Sequence, residues 1–336
     1  MTLMERASSR TAVIGAGMSG LACASRLQDR GMSVTVFEKS RGPSGRMSTR
    51  RADGGAQFDH GAQYFTGSDS EFLIQVEDWV RQGHVAEWKG QFGHLSSGDF
   101  VPASTHPRFV GAPRMSAVGR HMAEGLRVDL GVRVGSMERV GNQWHLRDDD
   151  GGSLGAFDRV ILAIPGPQAT LLVQAVPRLA QTVAEVEMLP CYALMLRFDQ
   201  PLGVFWDGVD VDGGPLAWIA HDSSKPGRTT PGCYVAHTTA LAGRYLLEKS
   251  PHLVAERLTR AFHAATRTRV APVHVAVHRW RFARPEEDDV PGPACLYDPS
   301  LGVGACGDWR VGARVEAAWL SGRAMADALL GVTAEL

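Results

Sequence analysis

A strand, a turn carrying three glycines, a helix and a second strand ending on a carboxylate fill residues 11–38. This unit constrains the fold more than any other part of the chain. Residues 11–14, Thr-Ala-Val-Ile, form a short apolar run that reads as a buried strand. Gly15-Ala-Gly17-Met18-Ser19-Gly20 follows. Leu21, Ala24 and Leu27 then recur at helical spacing as far as Gly31, a predicted C-cap. Ser33-Val-Thr-Val-Phe-Glu38 reads as the next strand. Each glycine has its own physical duty: Gly15 permits the tight turn, Gly17 lets a pyrophosphate approach the backbone, and Gly20 lets helix and strand pack closely. The helix start around Met18 and Ser19 offers unpaired N–H groups to phosphate. Glu38 can accept both hydroxyls of a ribose and would repel a 2′-phosphate. The unit therefore predicts a site for FAD or NAD rather than NADP.

The glycine spacing alone is weak, because the chain holds 38 glycines and the pattern occurs twice. The second copy, Gly302-Val-Gly304-Ala-Cys-Gly307, has no acidic strand end after it and soon runs into the last helix. Only the first has strand, helix and acid in the right order. Length and charge narrow the rest. A chain of 336 residues is about two domains. Its 35 basic against 36 acidic residues, net charge −1, give no basic excess for a nucleic acid. Apolar residues at 44% and charged ones at 21% suit a large core. Cys23, Cys191, Cys233, Cys295 and Cys306 are scattered without a C-x-x-C. This argues against zinc or dithiol sites and predicts a reducing, cytoplasmic setting. Arg6 and Arg10 before the apolar stretch 12–24 imitate a secretion signal, but Gly15, Gly17 and Gly20 interrupt it. No apolar run approaches the ~20 residues of a membrane span, and no obligate protein partner is evident.

The loop after Glu38 favours FAD. Lys39, Arg41 and Arg46 with Gly42 and Gly45 can curl over a pyrophosphate, and Arg50 and Arg51 add charge. The C-terminus supplies a second half. Asp308 ends a glycine-spaced apolar strand, where a carboxylate can bind ribityl hydroxyls. The amphipathic stretch 315–330 reads as a helix whose positive end, near Glu316, can face the N1–C2=O edge of a flavin.

These segments together resemble the renalase family of FAD enzymes, in the broader monoamine-oxidase-like class. The resemblance rests on the first β-α-β unit, the 39–46 loop, Gly61-Ala-Gln63-Tyr64-Phe65, and Cys306-Gly-Asp308-Trp309 with Val315-Glu316-Ala317-Ala-Trp319-Leu-Ser-Gly322. Val110-Gly-x-Pro113-x-Met115-Ser116, Ser224-Lys-Pro226 and His278-Arg-Trp280-x-x-Ala-Arg-Pro285 extend it over nearly the whole chain. One departure is Ser44, where the family usually has glycine. The resemblance implies non-covalent FAD. It also implies hydride transfer from misreduced NAD(P)H isomers, carrying the hydride at ring position 2 or 6, to flavin and then to O₂. NAD(P)⁺ and H₂O₂ are the products. It assigns Gln63, Val134 (through its backbone, beside adenine), Val315, Glu316 and Ala317 to the cofactor, and Trp280 and His237 to the active site. An amine oxidase, or a flavoprotein without catalysis, is the alternative.

The expected fold is α/β: a Rossmann-like FAD domain built from both chain ends, plus an α+β substrate domain with a mainly antiparallel sheet. The expected boundaries are 1–65, 109–179 and 289–336 for the first, and 66–108 and 180–288 for the second. Hydride transfer needs a donor carbon held at near-attack distance with water excluded. Flat side chains do this, so Tyr64, Trp218 and Trp280 are the expected cage, with His237 as a hydrogen-bonding partner. His274 and His278 share a strand face without the further ligands of a metal site. The acidic runs 148–150 and 286–289 read as solvated turns.

Overall fold

The computed structural model describes residues 9–332 apart from 97, 104–105 and 287–291. Its first sheet runs Leu296–Asp298, Val303–Ala305, Arg159–Leu162, Arg10–Ile14, Ser33–Glu38, Arg127–Leu130. All neighbours are parallel except the first pair. Continuous apolar runs such as 12–14 and 160–162 belong in such a sheet because helices and loops cover both faces. The two ends of the chain thus build one sheet, with residues 159–162 and 127–130 interleaved. The second glycine pattern lies on and around Val303–Ala305, inside the sheet rather than after a strand.

Helices Met18–Asp29 and Val315–Leu330, from opposite ends of the chain, pack against each other. Gly322 lies directly against the Ser19 backbone, and Arg26 pairs with Asp327 at 2.5 Å. Within the span 109–179 assigned to this domain, residues 134–157 form a separate three-stranded antiparallel sheet. It docks through the Trp144 indole N–H to the Leu301 carbonyl, 2.8 Å. Asp148 accepts backbone N–H groups of Asp150 and Gly152, so its run is a turn that folds on itself.

The second large sheet has seven strands, in the order His274–Pro285, Met188–Arg197, Cys233–Thr238, Leu216–His221, Gly208–Val211, Phe92–Ser96, Asp99–Pro102. It is antiparallel except between Gly208–Val211 and Phe92–Ser96. Alternation along Met188–Arg197 divides its faces. Tyr192, Leu194 and Leu196 pack with Val254, Leu258 and Phe262 of helix Pro251–Thr266. Ala193 and Met195 face Phe58 and Ala56 on the opposite side. Of residues 66–108, two strands join this sheet. Helix Ser70–Arg81 instead packs on the C-terminal helix, with Phe72 and Trp319 rings 5.5 Å apart.

Ser44, where the resemblance expects glycine, has a glycine's backbone angle, φ +122°. It is buried, its N–H donates to the Ala16 carbonyl at 2.8 Å, and its hydroxyl donates to the Ser116 carbonyl at 3.1 Å. The hydroxyl offsets part of a strain of about 1–3 kcal/mol. Ser44→Ala keeps the strain and loses the bond, so it should destabilise by about 1 kcal/mol. Ser44→Gly should be more stable than Ser44→Ala by about 1–2 kcal/mol. Denaturant melts of the three proteins check this, and an alanine variant as stable as wild type contradicts it.

Candidate functional site

The nucleotide cradle begins at Gly15, φ +108°, where an added Cβ would lie 2.5 Å from the Ala163 carbonyl oxygen. A Cβ on Gly20 would overlap the Gly15 carbonyl. Gly17 differs: the nearest atom to an added Cβ is the Gly45 Cα, 4.0 Å away, so the protein itself leaves an open trough there. Helix Met18–Asp29 starts from Gly17 with no side-chain cap and no acid in its first turn, and Met18 and Ser19 are buried at that end. Its first N–H groups are therefore available to an anion. At the tip of the neighbouring strand the buried Glu38 carboxylate accepts from Ala16 N (2.9 Å) and Ser40 N (2.8 Å). The chain 131–134 runs beside it, with Val132 N donating to the Glu38 carbonyl at 3.0 Å, which brings the buried Val134 close. Lys39 donates to Gln168 (3.2 Å), and burial together with Arg133 lowers its pKa. Arg41 is exposed at the start of the loop. A side-chain-free trough, an uncapped helix start and a carboxylate at the second strand's end fit a dinucleotide.

Sequence reasoning gave Arg46 and Asp308 separate roles; the geometry joins them. The Arg46 guanidinium makes two bonds to Asp308 (2.7 and 2.6 Å) and a third to the Ala283 carbonyl (2.9 Å). A forked ion pair of this kind is strong and directional. It ties the loop after Glu38 to the end of the C-terminal strand and to the edge of the seven-stranded sheet. The Glu316 carboxylate is similarly committed. It accepts from Ser68 N (2.6 Å), Asp69 N (2.7 Å) and the Ser68 hydroxyl (3.1 Å), closing the start of helix Ser70–Arg81. Burial raises its pKa, but these bonds outweigh burial and the net shift is downward. What Val315, Glu316 and Ala317 leave for a cofactor is the backbone of a helix start without a side-chain cap.

The opposite wall comes from one transverse row of the seven-stranded sheet. His278 pairs with Ala193, Ala193 with His237, His237 with Trp218, Trp218 with Asp210 and Asp210 with His94. Directly paired residues share a face. The expected cage therefore separates into two groups. Trp280 stacks on His60 (5.2 Å) with His278 edge-on to both (4.4 and 4.6 Å), while Tyr64 packs on Trp218 (5.4 Å) and Trp88 (6.5 Å). His237 lies between them. The His60 carbonyl accepts the Trp280 indole N–H at 2.8 Å and contacts His237 Nε2 at 3.2 Å. Gln63 Nε2 donates to the Asp59 and Gly61 carbonyls and lies 3.5 Å from His237 Nε2.

Sequence reasoning missed His60 and the charges behind it. Lys225, fully buried, bonds Asp222 (2.5 Å), Asp59 (3.4 Å) and the Gln63 amide oxygen (3.2 Å), and Arg228 pairs with Asp59. Ser224-Lys225-Pro226 was the only signal, as a piece of the family pattern. Burial raises the Asp59 carboxyl, but Lys225 and Arg228 overcome it and hold the group at about 2. Burial lowers His60 to about 3, helped by the charges of His278 and Arg50. Burial also lowers His237 to about 4. Both imidazoles are thus neutral at physiological pH. Burial pushes the Cys295 and Cys306 thiols up to about 11 and 12, so neither is a thiolate suited to covalent attachment. Among the described residues no group of three His, Cys, Asp or Glu is arranged to hold a metal, and no helix is long and apolar enough to cross a membrane.

The sequence and the fold match known proteins. A model of flavin-containing amine oxidoreductases matches residues 94–330, and one of NAD(P)-binding Rossmann-like domains matches residues 13–80. A zeta-carotene-forming phytoene desaturase of Myxococcus xanthus is 51% identical over 45 residues, 13% of this chain and 9% of its own length. A bifunctional tRNA 5-methylaminomethyl-2-thiouridine biosynthesis protein of Albidiferax ferrireducens is 26% identical over 197 residues, 54% of this chain and 31% of its own. The chain thus spans under a third of either relative. In fold it is similar to cyclohexylamine oxidase from Brevibacterium oxydans (TM-score 0.73, 15% identity, 96% of this chain and 99% of that one). It is also similar to putrescine oxidase bound to putrescine (TM-score 0.71, 14% identity, 96% and 99%).

The cradle separates two glycines by what a methyl group would meet. Gly20→Ala should destabilise the fold by about 1–3 kcal/mol or more. Gly17→Ala should leave the melting temperature of flavin-stripped protein unchanged, yet lower flavin affinity by about tenfold or more, about 1.4 kcal/mol. Visible absorbance per protein after desalting checks this, and a Gly17→Ala protein with full flavin contradicts the cradle.

Proposed function

Because the chain belongs to the flavin-containing amine oxidoreductase family, we propose that it oxidises a dihydropyridine nucleotide, an NAD(P)H isomer carrying its hydride at ring position 2 or 6, to NAD(P)⁺. The cofactor of this flavoprotein oxidoreductase is non-covalent FAD, held by the Rossmann-like domain. When bound, FAD would supply the hydride acceptor, and its reoxidation by O₂ with one proton from solvent would release H₂O₂. The remaining partner is the small-molecule substrate itself. The five free cysteines suit a reducing cytoplasm.

The observation that carries this reading is the charge state of the substrate wall. His60 and His237 are held neutral, and Trp280, Trp218 and Tyr64 are flat and uncharged. Asp59 and Asp222 behind them are consumed by Lys225 and Arg228. Asp210, the acid in the row, stands 3.7 Å from His94. Such a wall keeps the carboxylates behind His60 and His237 paired with cations rather than free to draw in an alkylammonium ion. It suits a neutral ring that becomes an aromatic pyridinium by losing a hydride, a step in which no proton leaves the ring carbon and no general base is required. Trp280 and Tyr64 orient the ring and exclude water. His237, with its Nε2 proton directed at the His60 carbonyl, keeps its orientation without changing charge. Basic side chains at the margin, Arg50 near His60 and His278 and Arg108 over Tyr64, suit the anionic remainder of a dinucleotide.

Anaerobic mixing of the flavin-loaded protein with 6-dihydro-NAD and 2-dihydro-NAD should bleach the visible flavin bands in seconds, while putrescine and cyclohexylamine should not. Bleaching by an amine but by neither nucleotide overturns the reading in favour of an amine oxidase. Bleaching by none points to a flavoprotein without this catalysis.

A further inference from the structure

Arg108 is an unusual cation for this chain. Its guanidinium carbon lies 4.1 Å from the centre of the Phe92 ring and 5.2 Å from that of Tyr64, so two aromatic faces hold it. Among the described residues it makes no side-chain hydrogen bond or ion pair, and its Nε is buried without an acceptor. Asp210 feels its charge, but the nearer partner of Asp210 is His94, at 3.7 Å. The backbone is fixed: the Arg108 carbonyl accepts from Trp88 N at 2.7 Å, and Phe109 and Phe65 exchange two bonds of 2.8 Å. Rigid mounting and lack of a protein acceptor are what a preorganised anion site requires.

A second unpaired donor stands against the same ring. The Trp218 indole N–H is buried with no acceptor, and Trp218 packs on Tyr64 at 5.4 Å. Leaving a buried N–H unpaired is costly, and native structures rarely leave two such donors on one side chain's contacts without a use. Tyr64 and Arg108 are each half-buried, so the guanidinium over the Tyr64 ring is within reach of a ligand. Arg46 is committed to Asp308, and Lys225 and Arg228 to Asp59 and Asp222. Arg108 is thus the cation beside the Tyr64–Trp218 pair with its hydrogen-bonding capacity unspent.

We propose that Arg108 is the anion-binding residue of the substrate site, taking a phosphate of the dinucleotide while the Trp218 indole N–H takes a neighbouring acceptor. This rests on the dihydropyridine reading for the identity of the anion, but not for the existence of the site. Its phosphate oxygens would replace the missing acceptors of the guanidinium, whose planar fork matches phosphate geometry.

The test uses flavin-loaded wild type, Arg108→Gln and Arg108→Lys, titrated with ADP-ribose and separately with inorganic pyrophosphate, and followed by calorimetry and by perturbation of the flavin spectrum. Flavin content and melting temperature serve as controls. Arg108→Gln should weaken ADP-ribose binding about tenfold or more, a loss of about 1.4 kcal/mol. It should raise KM for 6-dihydro-NAD by a similar factor with kcat within about twofold, the pattern of lost uniform binding. Arg108→Lys should fall between, because it keeps the charge but not the fork. If ADP-ribose binds wild type and Arg108→Gln equally, the Arg108 assignment is overturned and the dihydropyridine reading stands. If wild type binds pyrophosphate through Arg108 but ignores ADP-ribose, the anion site stands and the dinucleotide reading falls. If wild type binds neither, the proposal is overturned. Should Arg108→Gln lose flavin or melt early, Arg108→Lys supplies the comparison, and unchanged affinity there with unchanged salt dependence also overturns it.

Discussion

Four buried charges hold the two halves of the site in register. Asp59 comes from the segment that follows the glycine loop; Asp222, Lys225 and Arg228 come from the turn after the strand Leu216–His221. Two carboxylates and two cations sum to zero, which is what allows them to lie out of water. Removing one member would leave an uncompensated charge at a cost of about 3–5 kcal/mol. The same network reaches the site through Gln63, whose amide oxygen accepts from Lys225 and whose nitrogen donates to the Asp59 and Gly61 carbonyls. His60 is therefore fixed between two anchored residues. Its carbonyl can receive Trp280 and face His237, which are side chains from two different strands of the sheet.

Around this joint the rest of the architecture follows. The parallel sheet places the open trough at Gly17 and the Glu38 carboxylate at adjacent strand ends, where an α/β sheet binds its ligand. The last helix packs on the first because Gly322 and the Ser19 backbone touch. The Arg46–Asp308 fork then ties the loop after Glu38, the C-terminal strand and the sheet edge at Ala283. The cofactor side is thus built from sequence-distant pieces, and the opposite wall from one transverse row of the seven-stranded sheet together with Trp280 and the segment 59–65.

What was legible in the sequence is what depends on local chemistry. Gly15, Gly17, Gly20 and Glu38 announce their roles because turn geometry, backbone approach and strand length act within 25 or so residues. The stretch 315–330 is a helix over the span its periodicity indicates. What was not legible depends on register and on distance. Nothing local to His278, His237, Trp218 and Asp210 shows that they form one row, because a shift of one residue in any strand would scatter them. His60 was passed over since its function lies in a backbone carbonyl. Arg46 and Asp308 each looked like a cofactor ligand in isolation, and only the fold shows that they grip each other across 262 positions of sequence. Flatness points to Tyr64 and Trp280, and the resemblance to Trp280 as well, but neither tells that they belong to separate groups with His237 between.

On the proposed dihydropyridine reading, chemistry on this wall proceeds without a change in protonation of the protein. The direct measurement is the pH dependence of the anaerobic flavin-reduction rate with 6-dihydro-NAD at saturation. His60 and His237 lie near 3 and 4 because burial favours their neutral forms, so both stay neutral as pH falls through the ordinary histidine range. The rate should be flat from about pH 5.5 to 8.5, with no step near the ordinary histidine value of about 6.5. A single-proton step centred near that value, abolished by replacing His60 or His237, would contradict the account.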